Sequence, residues 1–259
     1  MYEFSKFINI ENKSSDEIVE LCNSINLDIA IDLTGFTLSN RFEIFEKRCA
    51  PIQISYLGYS ATTGSKNMDY IVADKIVIPK ESQKYFSEKI IYLPNTFMVN
   101  DNKKKISNSI ISKNNLGIPE NSFLLGCLNQ HYKITPEIFD VWIKILLKND
   151  SAYILLTKGN NLSKENLLKY ASKKNINKDR FIFIKKLGSL SEHLNRLKIV
   201  DLFVDTFPYG SHTTAFDILI AGKPLVALKG NSFASRISSS ILKSVNLDLF
   251  LIKSFILLS

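Results

Sequence analysis

The sequence predicts an α/β protein built on parallel sheets. Two observations carry this. Short β-rich runs such as "LDIAIDL", "FLLGCL", "AYILLT" and "DLFVDT" alternate with helical patterns along the chain, which is the signature of βαβ units. Several of these runs are apolar almost throughout, as strands covered on both faces are. No internal repeat and no heptad pattern competes with this reading.

Taken in order, "SSDEIVELCNSI" has helical spacing with Ser15 as its expected cap, and "LDIAIDL" follows as a buried strand. "RFEIFEKR" is a short helix and "PIQISYL" a strand, followed by the Gly/Ser/Thr loop "GYSATTGSKN". "MDYIVAD" and "KIIYLP" are further strands. A second series opens with "FLLGCL" and the helix "TPEIFDVWIKILLKN", with Thr135 as N-cap and Pro136 at the first helical position. "AYILLT", "KENLLKYASKKN", "RFIFIK", "SEHLNRLKIV", "DLFVDT", "AFDILIAG", "PLVALK" and "SRISSSILKSV" continue the alternation. The ending "LFLIKSFILLS" reads as the start of a strand and a helix.

With 259 residues, 45% of them hydrophobic and 22% charged, the chain can fill two domain cores. The polar, lysine-rich stretch "NDNKKKISNSIISKNN" suggests a linker over residues 101–116, between a domain at 1–100 and one at 117–259. The net charge of +8 favours anionic partners. Its lysines are spread through short polar stretches, as on a solvated surface, and no nucleic-acid-binding motif is present, so no nucleic-acid partner is expected. Cys22, Cys49 and Cys127 are too far apart in sequence for a metal or disulfide pattern, so reduced thiols and a cytoplasmic setting are expected. There is no signal-peptide core near the start and no apolar run long enough to span a membrane.

The segment "PYGSHTTAFDILIAGKPLV" poses the functional question: His212, Thr213 and Thr214 stand where a strand has ended and a helix begins. A helix start has free N–H groups and the positive end of the dipole. The threonines could cap it, or join its amides in holding a phosphate. Asp217, four residues after Thr213, lies on the same face and suits a sugar hydroxyl beyond the phosphates, with Gly222 ending the helix. "LNQHYKI" supplies Gln130 and Lys133 just after another strand, Lys133 being a compact cation for a phosphate oxygen. "SLSEHLNR" places His193 and Arg196 three apart on one helix face. Each segment also has a plain reading, as a cap, a polar loop or a surface helix. The three histidines, His131, His193 and His212, all fall in these loop-to-helix segments, which suggests a shared site.

Together "APIQISYLGYSATTGSKNMDYIVAD", "NQHYKI", "SEHLNR" and "HTTAFDILIAGKPLV" resemble, in order, the catalytic region of the O-linked N-acetylglucosamine transferase family, SPINDLY-type members included. The resemblance implies a GT-B fold: two Rossmann-like domains with a nucleotide-sugar between them. It implies inverting, metal-independent transfer of a sugar to a Ser or Thr hydroxyl of a protein, with UDP-N-acetylglucosamine as the default donor and GDP-fucose the SPINDLY alternative. By the same resemblance Lys133 neutralises the leaving diphosphate and Gln130 lies close to it. Thr213 and Thr214 sit at the diphosphate, and Asp217 near the ribose. His193 lies at the uracil and ribose, and Arg196 and His212 are neighbours of the nucleotide. "GYSATTG" faces sugar and acceptor.

The sequence departs from the family pattern in places. The family's opening strand, with its histidine-bearing loop, lies upstream of Met1, so the first domain is expected to be incomplete. No tetratricopeptide repeats precede it, and Leu190 stands where the family can have a ribose-contacting lysine. No Asp-x-Asp metal motif is found and no cofactor beyond the donor substrate is expected. No general base is assigned. A non-catalytic nucleotide-sugar-binding module is the competing reading.

Overall fold

A computed structural model describes residues 6–252; the last seven residues of the "LFLIKSFILLS" ending lie outside this range. The chain divides into two compact units, residues 1–97 and 98–259.

In the first unit, helix α1 (Ser15–Ser24) starts one residue earlier than the sequence suggests, with Ser14 and not Ser15 as N-cap. Ser14 Oγ accepts the Glu17 N–H, and the Glu17 carboxylate accepts the Ser14 N–H at 2.7 Å. This reciprocal box satisfies two groups that Ser15, one position too late, could not. Strand β1 (Ile29–Asp32), short helix α2 (Glu43–Glu46), and strands β2 (Ile52–Ser55), β3 (Tyr70–Ala73) and β4 (Lys89–Tyr92) follow. The four strands form one parallel sheet in sequential order. Ile18, Ala30, Ile44, Cys49 and Ala50 are packed together beneath α1 and α2. The loop 58–64 is held from inside: the buried Glu88 carboxylate accepts from Thr62 Oγ1 at 2.6 Å, and from both the amide and hydroxyl of Thr63. Those two hydroxyls therefore shape the loop.

The second unit contains β5 (Phe123–Cys127), α3 (Pro136–Lys148), β6 (Ala152–Thr157), α4 (Asn161–Lys173) and β7 (Phe181–Ile184). It continues through α5 (Leu190–Leu197), β8 (Leu202–Val204), α6 (Thr213–Ile220), β9 (Leu225–Leu228), α7 (Ile237–Ser244) and β10 (Leu251–Ile252). Its six strands are parallel throughout, in the order β10-β9-β8-β5-β6-β7. As predicted, Thr135 caps α3, accepting the Ile138 N–H, with Pro136 at the first turn. Ile138, Phe139, Trp142, Ile143 and Leu146 recur at helical spacing and turn one face of α3 into the core with Leu125, Ile154 and Leu156. Each large side chain so buried stabilises by about 1.5–3 kcal/mol. Gly126 lets β5 approach β8: a Cβ there would meet the Phe203 ring at 2.7 Å and Val200 at 2.8 Å.

Residues 101–116 run along this second unit. Ser107 N–H donates to Ser191 O at 3.1 Å, and the Asn195 side chain donates to Ser109 O at 2.8 Å. Among the described residues no helix is long and apolar enough to cross a membrane.

Candidate functional site

The strand order decides where a ligand can enter. From β5 the chain proceeds through β6 to β7 on one side, then returns to place β8, β9 and β10 on the other. The direction of winding reverses between β5 and β8, and in open sheets of this kind ligands bind in the crevice beyond the carboxyl ends of such a strand pair. Lys133 follows β5 and His212 follows β8, so the two candidates flank this crevice.

A buried polar network sets their geometry. Asp205, the first residue beyond β8, is 6% exposed. Its carboxylate accepts from the amides of Thr206 and Ser211 at 2.8 Å each, from Ser211 Oγ at 2.6 Å, from Asn129 Nδ2 at 3.0 Å and from the Ser238 hydroxyl. Asn129 lies just past β5 and also donates to Thr206 Oγ1 at 2.7 Å. The ends of two strands, the 206–211 turn and α7 are thereby tied to one carboxylate. Gly210 sits at the tightest point, where a Cβ would stand only 3.0 Å from Asp205 Oδ2 and from Ser238 Oγ.

The turn so fixed receives Lys133. Its Nζ donates to Gly210 O at 3.0 Å and lies 4.0 Å from the centre of the Tyr209 ring. His212 packs on the same tyrosine, its ring stacked with that of Tyr209 at 5.1 Å between centroids. Burial lowers the Lys133 pKa, opposed by the Asp205 carboxylate. Burial, and then the Lys133 charge, pull the His212 pKa down to about 4. Its Nε2 is buried with no partner among the described residues.

Neither threonine caps α6. The N-cap is His212, which makes no side-chain cap bond, and Thr213 and Thr214 are the first two helical residues. Among the described residues neither their amide N–H groups nor their hydroxyls have a hydrogen-bond partner. The helix start is thus an open set of donors beside the Lys133 ammonium, an arrangement suited to an anion. Gly222 closes α6 at φ +73, as predicted.

A second group lies about 6 Å further along α6, four residues at 1.5 Å each. Asp217 Oδ1 pairs with Lys104 Nζ at 2.9 Å, and Asp217 Oδ2 faces His193 Nε2 at 4.0 Å. Arg196 donates to His193 Nδ1 at 3.0 Å and to Lys185 O at 2.5 Å. Since arginine can only donate, Nδ1 is the acceptor and the neutral ring carries its proton on Nε2, toward Asp217. Burial, and then Arg196, lower the His193 pKa, which Asp217 opposes. Arg196 also lines a cavity of about 640 Å³ together with Ile110, Phe183, Ile184 and Leu187.

The structure therefore groups Lys133 with His212 at the head of α6, and His193 and Arg196 with Asp217 one turn along it. Gln130 is exposed on the loop before Lys133, its side chain without a hydrogen bond among the described residues. His131 departs from the shared-site expectation. Its ring nitrogens are engaged by Ser163 Oγ and Thr157 O, both at 2.7 Å, and its ring fills the space above Gly159, so it holds the β6–α4 loop. Sequence reasoning missed Asn129, Asp205, Tyr209, Ser211 and Ser238, whose polarity only announces a turn. It also missed Lys104, hidden in a lysine run. Among the described residues no group of three or more His, Cys, Asp or Glu side chains is placed to hold a metal.

The family model for glycosyl transferase family 41 matches residues 1–111 and 102–254. The probable UDP-N-acetylglucosamine–peptide N-acetylglucosaminyltransferase SEC of Arabidopsis thaliana is 34% identical over 92% of this chain and 25% of its own length. A SPINDLY protein of Petunia hybrida with the same probable activity in its name is 28% identical over 85% of the chain and 24% of its own length. The chain thus spans about a quarter of the length of these curated relatives. Among solved structures, a point mutant of the Thermobaculum terrenum O-GlcNAc transferase is similar with a TM-score of 0.87 and 25% identity, over 98% of this chain and 48% of that one. Anabaena HepE in complex with UDP, 13% identical over 91% of this chain and 79% of that one, shares the fold at a TM-score of 0.55. The parallel α/β architecture is accordingly that of the GT-B glycosyltransferases.

Proposed function

This chain belongs to glycosyl transferase family 41, and on that premise we propose that it is the catalytic region of a protein O-glycosyltransferase. It transfers N-acetylglucosamine from UDP-N-acetylglucosamine to Ser or Thr hydroxyls of protein acceptors, with inversion and without a metal ion. The observation that carries this reading is that the Lys133 ammonium is held on the Gly210 carbonyl, three residues before the open donors of Thr213 and Thr214 at the head of α6.

As the bond to the sugar breaks, negative charge builds on the departing diphosphate. Lys133 and the α6 amides meet that charge with donors already in place, so little reorganisation is needed. The ribose then falls beside Asp217 and His193, one turn along the helix, and the uracil beside Arg196 and its cavity. Gln130, on the open side of Lys133, reaches the phosphates. The Asp205 network holds Lys133 and the turn in register without touching substrate. The names of the relatives support the donor and the acceptor class.

The test is transfer by the full chain from UDP-N-acetylglucosamine to a Ser/Thr-containing acceptor protein, with and without EDTA, alongside calorimetric titration with UDP. Transfer undiminished by EDTA, giving the opposite anomer, is expected. Binding of UDP without transfer would reduce the reading to a nucleotide-sugar-binding module, and absence of UDP binding would overturn it.

A further inference from the structure

We propose that Lys104 is a ribose-recognising residue of this site, acting as the donor half of a donor–acceptor pair with Asp217. The inference rests on the nucleotide reading above and adds to it a residue from the stretch between the two sheets.

Three observations converge. First, the Lys104–Asp217 pair is largely withdrawn from water: the side chains are 16% and 15% exposed at an Nζ–Oδ1 distance of 2.9 Å. A pair this sheltered is held in one geometry, unlike an ordinary surface ion pair. Second, the segment bearing Lys104 is fastened to the helix that carries His193. Ser107 N–H donates to Ser191 O at 3.1 Å, and Asn195 Nδ2 donates to Ser109 O at 2.8 Å and Ser109 Oγ at 3.0 Å. Lys104 and His193 thus approach Asp217 from elements locked to each other. Third, the carboxylate is only half used. Oδ1 takes the ammonium, whereas Oδ2 stands 4.0 Å from His193 Nε2, beyond hydrogen-bond range.

An ammonium has three donors, and among the described residues Asp217 takes one of them. The molecule therefore presents a free acceptor and spare donors side by side. That is the complement of a vicinal diol, in which the 3′-hydroxyl donates to the carboxylate while the 2′-hydroxyl accepts from the ammonium. Lys104 also resolves an electrostatic conflict. An uncompensated Asp217 would stand about 6 Å along the helix from the proposed diphosphate and repel it. With Lys104 in place the acceptor is retained and the repulsion is offset.

The experiment is isothermal titration of the full chain with UDP and with 2′-deoxy-UDP, using the wild type, Lys104→Met, Lys104→Arg and Lys133→Ala. Melting curves check the folding of each. The wild type should prefer UDP over 2′-deoxy-UDP by about tenfold or more, as expected for loss of a charge-assisted hydrogen bond. Lys104→Met should weaken UDP by at least that factor and 2′-deoxy-UDP distinctly less, bringing the ratio close to one. Lys104→Arg, which keeps the charge and the donors, should retain most of the preference even if the Met variant folds poorly. Equal weakening of both ligands in Lys104→Met, or no weakening, overturns the proposal and leaves Lys104 a strap for its segment. If instead the wild type binds no UDP, or Lys133→Ala binds it undiminished, the nucleotide reading fails, and this inference with it.

Discussion

Lys133 Nζ lies 4.0 Å from the centre of the Tyr209 ring while donating to the carbonyl of the next residue, Gly210, at 3.0 Å. The ring and the carbonyl hold a cation in place without neutralising it, as a carboxylate in direct contact would. The nearest acid influencing it, Asp205, is already occupied by five donors. Lys133→Ala should therefore weaken UDP far more than uridine, by about 1.5–3 kcal/mol, the scale for a hydrogen bond to a charged group. Parallel titrations with the two ligands measure the difference. Asp217→Asn, one turn further on, should weaken both ligands by a similar factor, because its partner is the ribose.

Thr214→Ala separates a helix cap from a ligand contact. Removing a cap residue costs about 0.5–2 kcal/mol of stability. Since His212 occupies the N-cap position, the substitution should alter unfolding by no more than about 0.5 kcal/mol, as at ordinary surface positions. UDP binding should fall by about 1.5–3 kcal/mol with little change for uridine. A large drop in melting temperature with an unaltered UDP-to-uridine ratio would contradict the ligand role.

Asp205→Ala should be the most destabilising change at the site. It leaves the buried Thr206 and Ser211 amides without an acceptor, while the side-chain donors of Asn129, Ser211 and Ser238 keep only their second partners. Each buried donor left unpaired costs about 1–3 kcal/mol, so a loss of about 3 kcal/mol or more is expected in urea unfolding. Asp205→Asn, which keeps an acceptor, should lose distinctly less.

His212 gives stability a pH dependence of defined sign. Its folded-state pKa, about 4, lies below the 6.5 of an unfolded histidine because burial and then Lys133 disfavour the charged ring. Protonation therefore favours the unfolded chain. The contribution is fully present above about pH 6.5 and is lost as the pH falls from there toward 4. His212→Phe should flatten that part of the stability profile; a profile identical to the wild type would refute the assignment.

Much of the fold was legible in the sequence because it depends on short-range chemistry. Strands such as "FLLGCL" and "AYILLT" are apolar almost throughout because a parallel sheet covers both their faces. Thr135-Pro136 and Gly222 mark helix ends because capping and left-handed backbone are local requirements. The Ser14–Glu17 box was missed by one residue, since several adjacent serines offer the same hydroxyl and only the backbone trajectory selects among them. The candidate residues after β5 and β8 were readable for a related reason: in a parallel α/β sheet, strand ends point to where a ligand binds.

The amino-acid order specifies the class of the fold, most of its strands and helices, and a set of polar residues at strand ends. How those residues are partnered depends on long-range packing. Strand order brings β5 beside β8 across some 75 residues, and with it Asn129 to Asp205 and Lys133 to Gly210. His131 and His212 look alike in sequence, each polar and each beside a helix start. One is spent on Thr157 and Ser163, while the other stacks on Tyr209 at the crevice. Lys104 belongs to a run of three lysines with nothing to distinguish it, yet it alone of the three meets Asp217, 113 positions away. The physical reason is common to all three cases. A charge or a hydroxyl in a sequence states only what it can bond to, and the long-range packing of apolar strands and helices dictates which partner arrives.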